Sequence, residues 1–195
     1  MSVTIVTATG TEANAVRGAA PGVRIVEVGM GLSRYDGERF DTAIVCGVAG
    51  GLRYDAPTGT IVIASEVGCI DGSTIAVDGE LRNRLANAAR DLGHHPLVAP
   101  MLYSPALVTG KQRSQWAEHG FAAVDMESGG INVRRLAVVR VILDTPQHEI
   151  SPEWQHPARA MLKPSLWGEL FWLARHAPRS ARTAASIVAY AQNNG

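Results

Sequence analysis

Six short apolar runs, rich in Val and Ile and bounded by Gly, Pro or Asp, constrain the fold of this chain more than any other feature. Their hydrophobicity is nearly continuous and does not alternate, which is typical of strands covered on both faces. Such strands occur in α/β sheets, so the sequence predicts an α/β fold. The runs span residues 3–8, 23–28, 42–49, 60–67, 96–102 and 137–143.

Helical patterns lie between and after these runs. Residues 78–93 carry leucines and alanines on one stripe and end at a glycine, which predicts a helix with a glycine stop. We interpret residues 126–136 as a second helix that begins after Asp125. The C-terminal segment, residues 160–195, is predicted to form two helices divided at Pro178, because proline interrupts helix interiors.

The composition argues against several functional classes. The 195 residues suit one domain spanning residues 1–195. With 18 basic and 18 acidic residues the net charge is zero, so no overall field favours nucleic acid. Cys46 and Cys69 form neither a disulfide framework nor a metal-ligand pattern. No stretch reaches the roughly 18 apolar residues of a bilayer span, and the first residues lack a signal-peptide pattern. We therefore expect a cytoplasmic protein.

Carboxylates stand where several of the predicted strands end. Glu12 follows the first run, Asp125 and Glu127 follow the apolar segment FAAV, and Asp144 closes the last run. Ligands of open α/β sheets bind beyond the carboxyl ends of the strands, where a partly desolvated carboxylate suits proton transfer. The alternative is that these residues cap helices, and we expect that role for Asp125.

Arg140 is a charged residue inside the last apolar run. Buried arginines are rare unless they are paired. We therefore expect an ion pair with Asp125 or Glu127. His148 and Glu149 follow the same run, and we interpret them as loop residues, with a place at the mouth of a substrate site as the alternative.

Four motifs occur in series: CGVAGGL at 46–52, TGTIVIASEV at 58–67, AVDMES at 123–128 and VRVILDT at 139–145. Together they resemble the purine nucleoside phosphorylase and nucleosidase superfamily, which includes methylthioadenosine/adenosylhomocysteine nucleosidases and futalosine hydrolases. VGMG at 28–31 and TATGTE at 7–12 are similar to its Gly-x-Gly segment and to the segment with its N-terminal Glu. The resemblance implies a central mixed, mostly parallel sheet flanked by helices, and cleavage of a purine N-glycosidic bond.

The resemblance also implies roles for individual residues. Glu127 matches the Glu that binds the ribose 2′- and 3′-hydroxyls, and Met126 matches the residue that packs beneath the sugar. Asp144 matches the acid that protonates or hydrogen-bonds N7 of the departing purine, and Glu12 matches the base that activates water in the nucleosidases. These roles suit an oxocarbenium-like transition state, which needs a stabilised leaving base and a delivered nucleophile.

The base site departs from the family pattern. The expected stacking Phe is replaced by Leu107 or Val108, which leaves the identity of the base open. Adenine is the favoured base because of Asp144. Gly50, in the Ala-Gly-Gly-Leu stretch, is a further candidate for substrate binding.

Hydrolysis and phosphorolysis are both compatible with the resemblance. Val45 and Val48 stand where the hexameric phosphorylases place an Arg and a hydroxyl residue, and neither valine can hold a phosphate dianion. Backbone N–H groups of residues 47–51 are an alternative anion cradle, as are Arg34 or Arg53 reaching in from elsewhere. The valines and Glu12 together favour water as the nucleophile. Neither reaction needs a metal or cofactor, although phosphorolysis would use phosphate as co-substrate.

The C-terminal segment is similar to that of the hopanoid-associated phosphorylases, whose proposed substrate is adenosylhopane. A lipid-linked nucleoside would suit peripheral membrane contact by the aromatic residues near Phe171 and the arginines after it. The alternative, which we favour, is that Trp167, Leu170, Phe171 and Ala174 pack on the core. By resemblance we also expect a homo-oligomer. A non-catalytic nucleoside-binding module and a membrane-peripheral relic of the fold are the competing classes.

Overall fold

The computed structural model describes residues 3–155 and 162–194, apart from the side chain of residue 155. All six predicted runs are strands. Two short strands, β5 and β7, were not among the predictions. The strands are β1 (Thr4–Thr7), β2 (Arg24–Glu27), β3 (Phe40–Gly51), β4 (Ile61–Cys69), β5 (Thr74–Ala76), β6 (Leu97–Tyr103), β7 (Ala123–Asp125) and β8 (Val133–Asp144).

The strands form one mixed sheet in the order β2-β1-β3-β7-β6-β4-β5. Strand β8 pairs in parallel with β3 and in antiparallel with β4, so β3, β7, β6, β4 and β8 close into a ring. Pairs β1–β2, β1–β3, β4–β6 and β6–β7 are also parallel, whereas β3–β7 and β4–β5 are antiparallel. The prediction of a mixed, mostly parallel sheet is therefore confirmed.

Four α-helices flank the sheet in the described residues: α1 (Gly10–Ala19), α2 (Gly79–Asp91), α3 (Lys111–Glu118) and α4 (Trp167–Asn193). Helix α2 confirms the helix predicted at 78–93. Asp78 caps its N-terminus, because the Asp78 carboxylate accepts from the backbone N–H of Leu81 and so satisfies one of the free donors of the first turn.

Two apolar clusters hold the layers together. One lies between the sheet and helices α1, α2 and α4, and it includes Ile44, Ile63, Leu85 and Ile187, all buried. The other lies inside the ring of strands. Because both faces of strands β3, β4 and β8 are covered, their sequences are apolar without alternation.

The helix predicted at 126–136 is wrong. The chain turns after β7, and Val133 already begins β8. Asp125 does not cap a helix, because its Oδ1 accepts hydrogen bonds from the backbone N–H and hydroxyl of Ser128 and so closes a local turn. A Cβ on Gly129 would lie 2.4 Å from the Tyr103 ring, so the turn packs too tightly for a side chain at this position.

The predicted division of the C-terminal segment at Pro178 is also wrong. Helix α4 continues through Pro178 as one helix. Its C-terminal half is buried against the sheet, and this packing stabilises the helix beyond its propensity. Pro178 has no N–H to donate to the carbonyl of Ala174, one turn earlier, and Ala174 is an exposed residue.

The aromatic residues at the start of α4 do not pack on the core as we expected. The exposed fraction of Phe171 is 73% and that of Trp167 is 52%. The prediction that this stripe is buried is therefore wrong for Phe171 and Trp167, and also for Ala174, which is exposed. Among residues 3–155 and 162–194, the helices do not combine the length and apolar character that crossing a bilayer would require.

Candidate active site

Glu12 lies just beyond the carboxyl end of β1, in the first turn of α1. Its Oε2 accepts hydrogen bonds from the backbone N–H groups of Ala8 (3.0 Å) and Thr9 (2.9 Å) and from the Thr9 hydroxyl (3.0 Å). Thr9 and Glu12 thereby form a capping box at the start of α1. Oε1 turns towards the sheet and accepts from the backbone N–H of Val48 at 2.8 Å. Glu12 is thus both a helix cap and a buried carboxylate at the strand ends.

Arg140 lies on β8 and is completely buried. Its Nη2 lies 2.8 Å from Oδ2 of Asp125 and 2.9 Å from Oε2 of Glu127. Its Nη1 lies 3.9 Å from Oε1 of Glu12 and forms no hydrogen bond with the described residues. The prediction that Arg140 pairs with Asp125 or Glu127 is confirmed, and Arg140 pairs with both residues.

The charges of this cluster shift the pKa values of their neighbours. Burial by itself would lower the pKa of Arg140, but the three surrounding carboxylates raise it above its ordinary value. The guanidinium therefore stays charged. Burial raises the pKa of Glu127 to about 7, against the opposing charge of Arg140. Glu127 is consequently a carboxyl group whose charge changes near neutral pH.

Glu127 also anchors the turn that contains the Gly-x-Gly segment. Its Oε1 accepts from the backbone N–H of Gly31 at 2.9 Å. Gly31 has a positive φ of 58°, and a Cβ there would lie 3.3 Å from Cε of Met126. Met126 and Glu127 therefore approach this turn together, at the same edge of the sheet as Glu12.

The Ala-Gly-Gly stretch gives two charged residues of β8 the space they need. In the parallel register Gly47 is the partner of Arg140, and Gly50 is the partner of Asp144. A Cβ on Gly47 would lie 2.0 Å from Oε1 of Glu12 and 2.8 Å from Nη1 of Arg140, so no side chain fits there. The absence of side chains at Gly47 and Gly50 thus leaves room on β3 for the carboxylate and guanidinium groups that meet there.

Asp144 forms an ion pair with Nη2 of Arg113, a residue of α3 that did not stand out in the sequence. The side chain of Arg113 is 4% exposed and that of Asp144 is 13% exposed. Glu149 lies on the outer side, with Oε1 3.6 Å from Nε of Arg113, and it accepts from the backbone N–H of Gly110. Arg113 lies in a short, polar helical segment, where nothing local distinguishes it from a solvent-exposed arginine.

The two candidates for the base-stacking position lie in different environments. Val108 is buried in a small apolar cluster with Leu52, Leu102 and Val124, whereas Leu107 is 36% exposed. The carbonyl oxygen of Val108 accepts from Nε of Arg113 at 3.1 Å. The backbone of Val108 therefore contacts Arg113, which in turn pairs with Asp144.

The structure does not bring the proposed anion-binding groups together. Val45 is fully buried in the core, and the N–H of Val48 is used by Glu12. Arg34 pairs with Glu27 at 2.6 Å, and Arg53 pairs with an aspartate two residues further on, both at the surface. Neither arginine reaches into the site. In the described parts of the chain, no cluster of three or more His, Cys, Asp or Glu residues could hold a metal ion.

Comparison with protein-family models and with curated proteins finds no match. Solved structures do match. A methylthioadenosine/adenosylhomocysteine nucleosidase from Neisseria meningitidis is 17% identical, with a TM-score of 0.75, and the match covers 100% of this chain and 99% of that one. The chain has the nucleosidase fold. An adenosylhomocysteine nucleosidase from Streptococcus pyogenes is 13% identical, with a TM-score of 0.74 and coverage of 100% and 97%. Futalosine hydrolase from Helicobacter pylori is 14% identical, with a TM-score of 0.71 and coverage of 100% and 98%.

These structures confirm the fold that the motif resemblance implied, an α/β architecture with a mixed sheet, flanking helices and a C-terminal helix. The neighbours were solved with ligands that include methylthio-immucillin-A and 5-methylthiotubericidin. At this level of identity the likeness concerns the fold, so the roles of individual residues depend on the geometry of the site itself.

Proposed function

We propose that the protein hydrolyses the N-glycosidic bond of a purine nucleoside. The observation that carries the proposal is the convergence of Glu12 and Glu127 on the buried Arg140, with Asp144 further along the same strand. The two parts of this arrangement match the two ends of a nucleoside. Glu127, which we assign to the ribose hydroxyls, lies near Glu12, which can act on water. Asp144 is the separate acidic residue at the end where we expect the base.

In this mechanism Glu127 binds the ribose hydroxyls through its carboxylate, which can accept from two neighbouring hydroxyls. Arg140 holds Glu127 in place and balances its charge. Glu12, whose position is fixed by the Val48 N–H, accepts a proton from the attacking water as the water oxygen bonds to the anomeric carbon. The purine leaves with the electron pair of the broken C–N bond and takes up one proton from solvent, so the reaction consumes one water in total. Met126 packs beneath the sugar, and Gly50 leaves space for the base beside Asp144. The reaction needs no cofactor.

Water is the proposed nucleophile, and phosphorolysis is the alternative. A phosphate dianion requires several donors or cations. Here the Val48 N–H is used by Glu12, and the side chains of Val45 and Val48 offer no donor. The surface pairs of Arg34 and Arg53 keep both guanidinium groups away from the site.

We further propose that the substrate carries adenine and an apolar 5′ substituent, for which adenosylhopane is one candidate. The start of α4 supports contact with a lipid surface, because Phe171 and Trp167 are exposed and are followed by the exposed Arg175, Arg179 and Arg182. Aromatic anchors beside arginines favour anionic membranes. We also propose that the protein forms a homo-oligomer, as the motif resemblance implies.

Adenine release from 5′-substituted adenosines, measured with and without phosphate, tests the proposed function. We expect release that does not depend on phosphate and that falls by at least about a hundredfold in Glu12→Gln, the size typical of a lost general base. Gln keeps the capping hydrogen bond at the start of α1. Glu118→Gln, at the exposed end of α3, is the matched control and should keep full activity.

Each other outcome contradicts part of the proposal. Release only with phosphate would show an anion site elsewhere and would replace hydrolysis by phosphorolysis. Normal activity in Glu12→Gln would remove Glu12 from the mechanism. If a folded protein binds adenine but releases none from small or lipid-linked substrates, the chain is a non-catalytic nucleoside-binding module.

A further inference from the structure

The guanidinium of Arg113 is a buried cation that the mechanism above does not use. Its Nε donates to the carbonyl of Val108 at 3.1 Å, its Nη1 donates to the carbonyl of Gly51 at 3.0 Å, and its Nη2 pairs with Asp144. These acceptors come from three separate segments of the chain. They fix both the position and the plane of the guanidinium, whose donors form a rigid fork.

This ion pair presents one donor and one acceptor side by side. Arginine has five N–H donors, and Nη2 of Arg113 carries a second hydrogen besides the one directed at Asp144. Among the described residues, Oδ2 of Asp144 takes the ion pair and Oδ1 accepts no hydrogen bond. A Cβ on Gly50 would lie 3.3 Å from Oδ1 of Asp144 and 3.5 Å from Nη2 of Arg113. Both atoms therefore border the space that a side chain at position 50 would occupy.

The Hoogsteen edge of adenine is complementary to such a pair. It offers an acceptor, N7, beside a donor, the 6-amino group, whereas a 6-oxopurine offers two acceptors. The oxygen of a 6-oxopurine would face the carboxylate of Asp144 without a proton between them. A donor next to an acceptor therefore selects the amino form of the purine.

We propose that Arg113 is a base-recognition residue, which donates to N7 of a 6-aminopurine while Asp144 accepts from its 6-amino group. The proposal rests on the proposed function and deepens it. It also changes the role that the motif resemblance implied for Asp144, namely protonation of N7. A proton on Asp144 would remove the negative charge with which Arg113 pairs, so the ion pair favours Asp144 as an acceptor.

The position of the pair fits the rest of the site. Gly50 lies three residues after Gly47 along β3, which is a distance of about 10 Å in a strand. Gly47 borders Arg140 and Glu12, and Gly50 borders Asp144 and Arg113. The two clusters are thus separate, and they can bind the sugar and the base of one small molecule.

Titration of the free bases by calorimetry tests this inference. The probes are adenine, 7-deazaadenine, which has a C–H in place of N7, and hypoxanthine, a 6-oxopurine. We expect wild-type protein to bind adenine at least about tenfold more tightly than either analogue, as one well-placed polar contact to a base allows. In Arg113→Met the preference for adenine over 7-deazaadenine should fall below about threefold, because the donor to N7 is gone. Arg53→Met, which removes a surface arginine from an ion pair, is the matched control.

The outcomes separate this inference from the proposed function. A folded Arg113→Met variant that still prefers adenine to 7-deazaadenine by about tenfold would overturn the role of Arg113 and leave the nucleosidase proposal intact. If Arg113→Met does not fold, wild-type protein that binds hypoxanthine as tightly as adenine overturns the inference. Wild-type protein that binds none of the bases and releases no adenine from nucleosides would overturn both.

Discussion

Replacing Arg140 by leucine should destabilise the protein strongly and in a pH-dependent way. The substitution removes the cation that lies beside Asp125, Glu127 and Glu12, all at most 5% exposed. Breaking a buried ion pair by removing one partner costs about 3–5 kcal/mol, because the remaining charge is uncompensated. A domain of this size has a free energy of unfolding of about 5–15 kcal/mol, so the loss is a large part of the total.

The pH dependence follows from protonation of the Glu127 carboxyl group once its guanidinium partner is gone. Burial already raises the pKa of Glu127 to about 7 in the presence of Arg140, and loss of the guanidinium raises it further. The folded variant then binds more protons than the unfolded chain, whose carboxyls have ordinary pKa values. Its stability must therefore rise as the pH falls. One extra bound proton changes the free energy of unfolding by about 1.4 kcal/mol per pH unit, or up to about 4 kcal/mol between pH 8 and pH 5.

Urea unfolding of wild type and Arg140→Leu at pH 8 and pH 5 measures both effects. The difference between the two proteins should be about 3–5 kcal/mol at pH 8. At pH 5 it should be smaller by up to about 1.4 kcal/mol, because Glu127 of wild type also binds a proton below pH 7 and wild type gains part of the same stability. Arg134→Leu is the matched control, since Arg134 lies on the same strand but pairs with Asp41 at the surface. It should leave stability almost unchanged at both pH values. A loss below about 1 kcal/mol for Arg140→Leu, or an equal loss at both pH values, would refute the reasoning.

Two further predictions concern binding. Because the pKa of Glu127 is raised to about 7, its carboxylate forms as the pH rises through that value, so KM for a nucleoside should fall between pH 6 and pH 8. Glu127→Gln should have a higher KM with no such change, and a KM of wild type that stays constant over this range would contradict the role of Glu127. Phe171→Glu should abolish pelleting of the protein with anionic phospholipid vesicles, because it places a charge among the exposed aromatic residues of α4. Equal pelleting of Phe171→Glu and wild type would exclude this surface from membrane contact.

The strands were the most predictable part of the fold. Their apolar runs reflect burial on both faces, and burial of this kind leaves a signal in each strand separately. Arg140 was predictable for a related reason, because a charge inside a buried strand requires a partner whatever the topology. Strand β7 is only three residues long, and it carried too short a signal to stand out.

The errors came from segments whose structure depends on distant contacts. The turn after Asp125 is set by the Ser128 hydrogen bonds and by packing of Gly129 on Tyr103, which lies far away in the sequence. Helix α4 passes through Pro178 because its C-terminal half is buried against the sheet. Local propensity predicts the opposite in both places, and tertiary packing overrides it.

By itself the sequence determined the α/β class, the strands and the carboxylates that stand at their ends, because each of these depends on the pattern within one short segment. Only the tertiary structure decided which charges meet. It placed Arg140 among three carboxylates, and it brought Arg113 from α3 to Asp144 at the end of β8. The physical reason is that an ion pair depends on distance in space, and a polar segment shows no local sign of the partner that its side chain will reach.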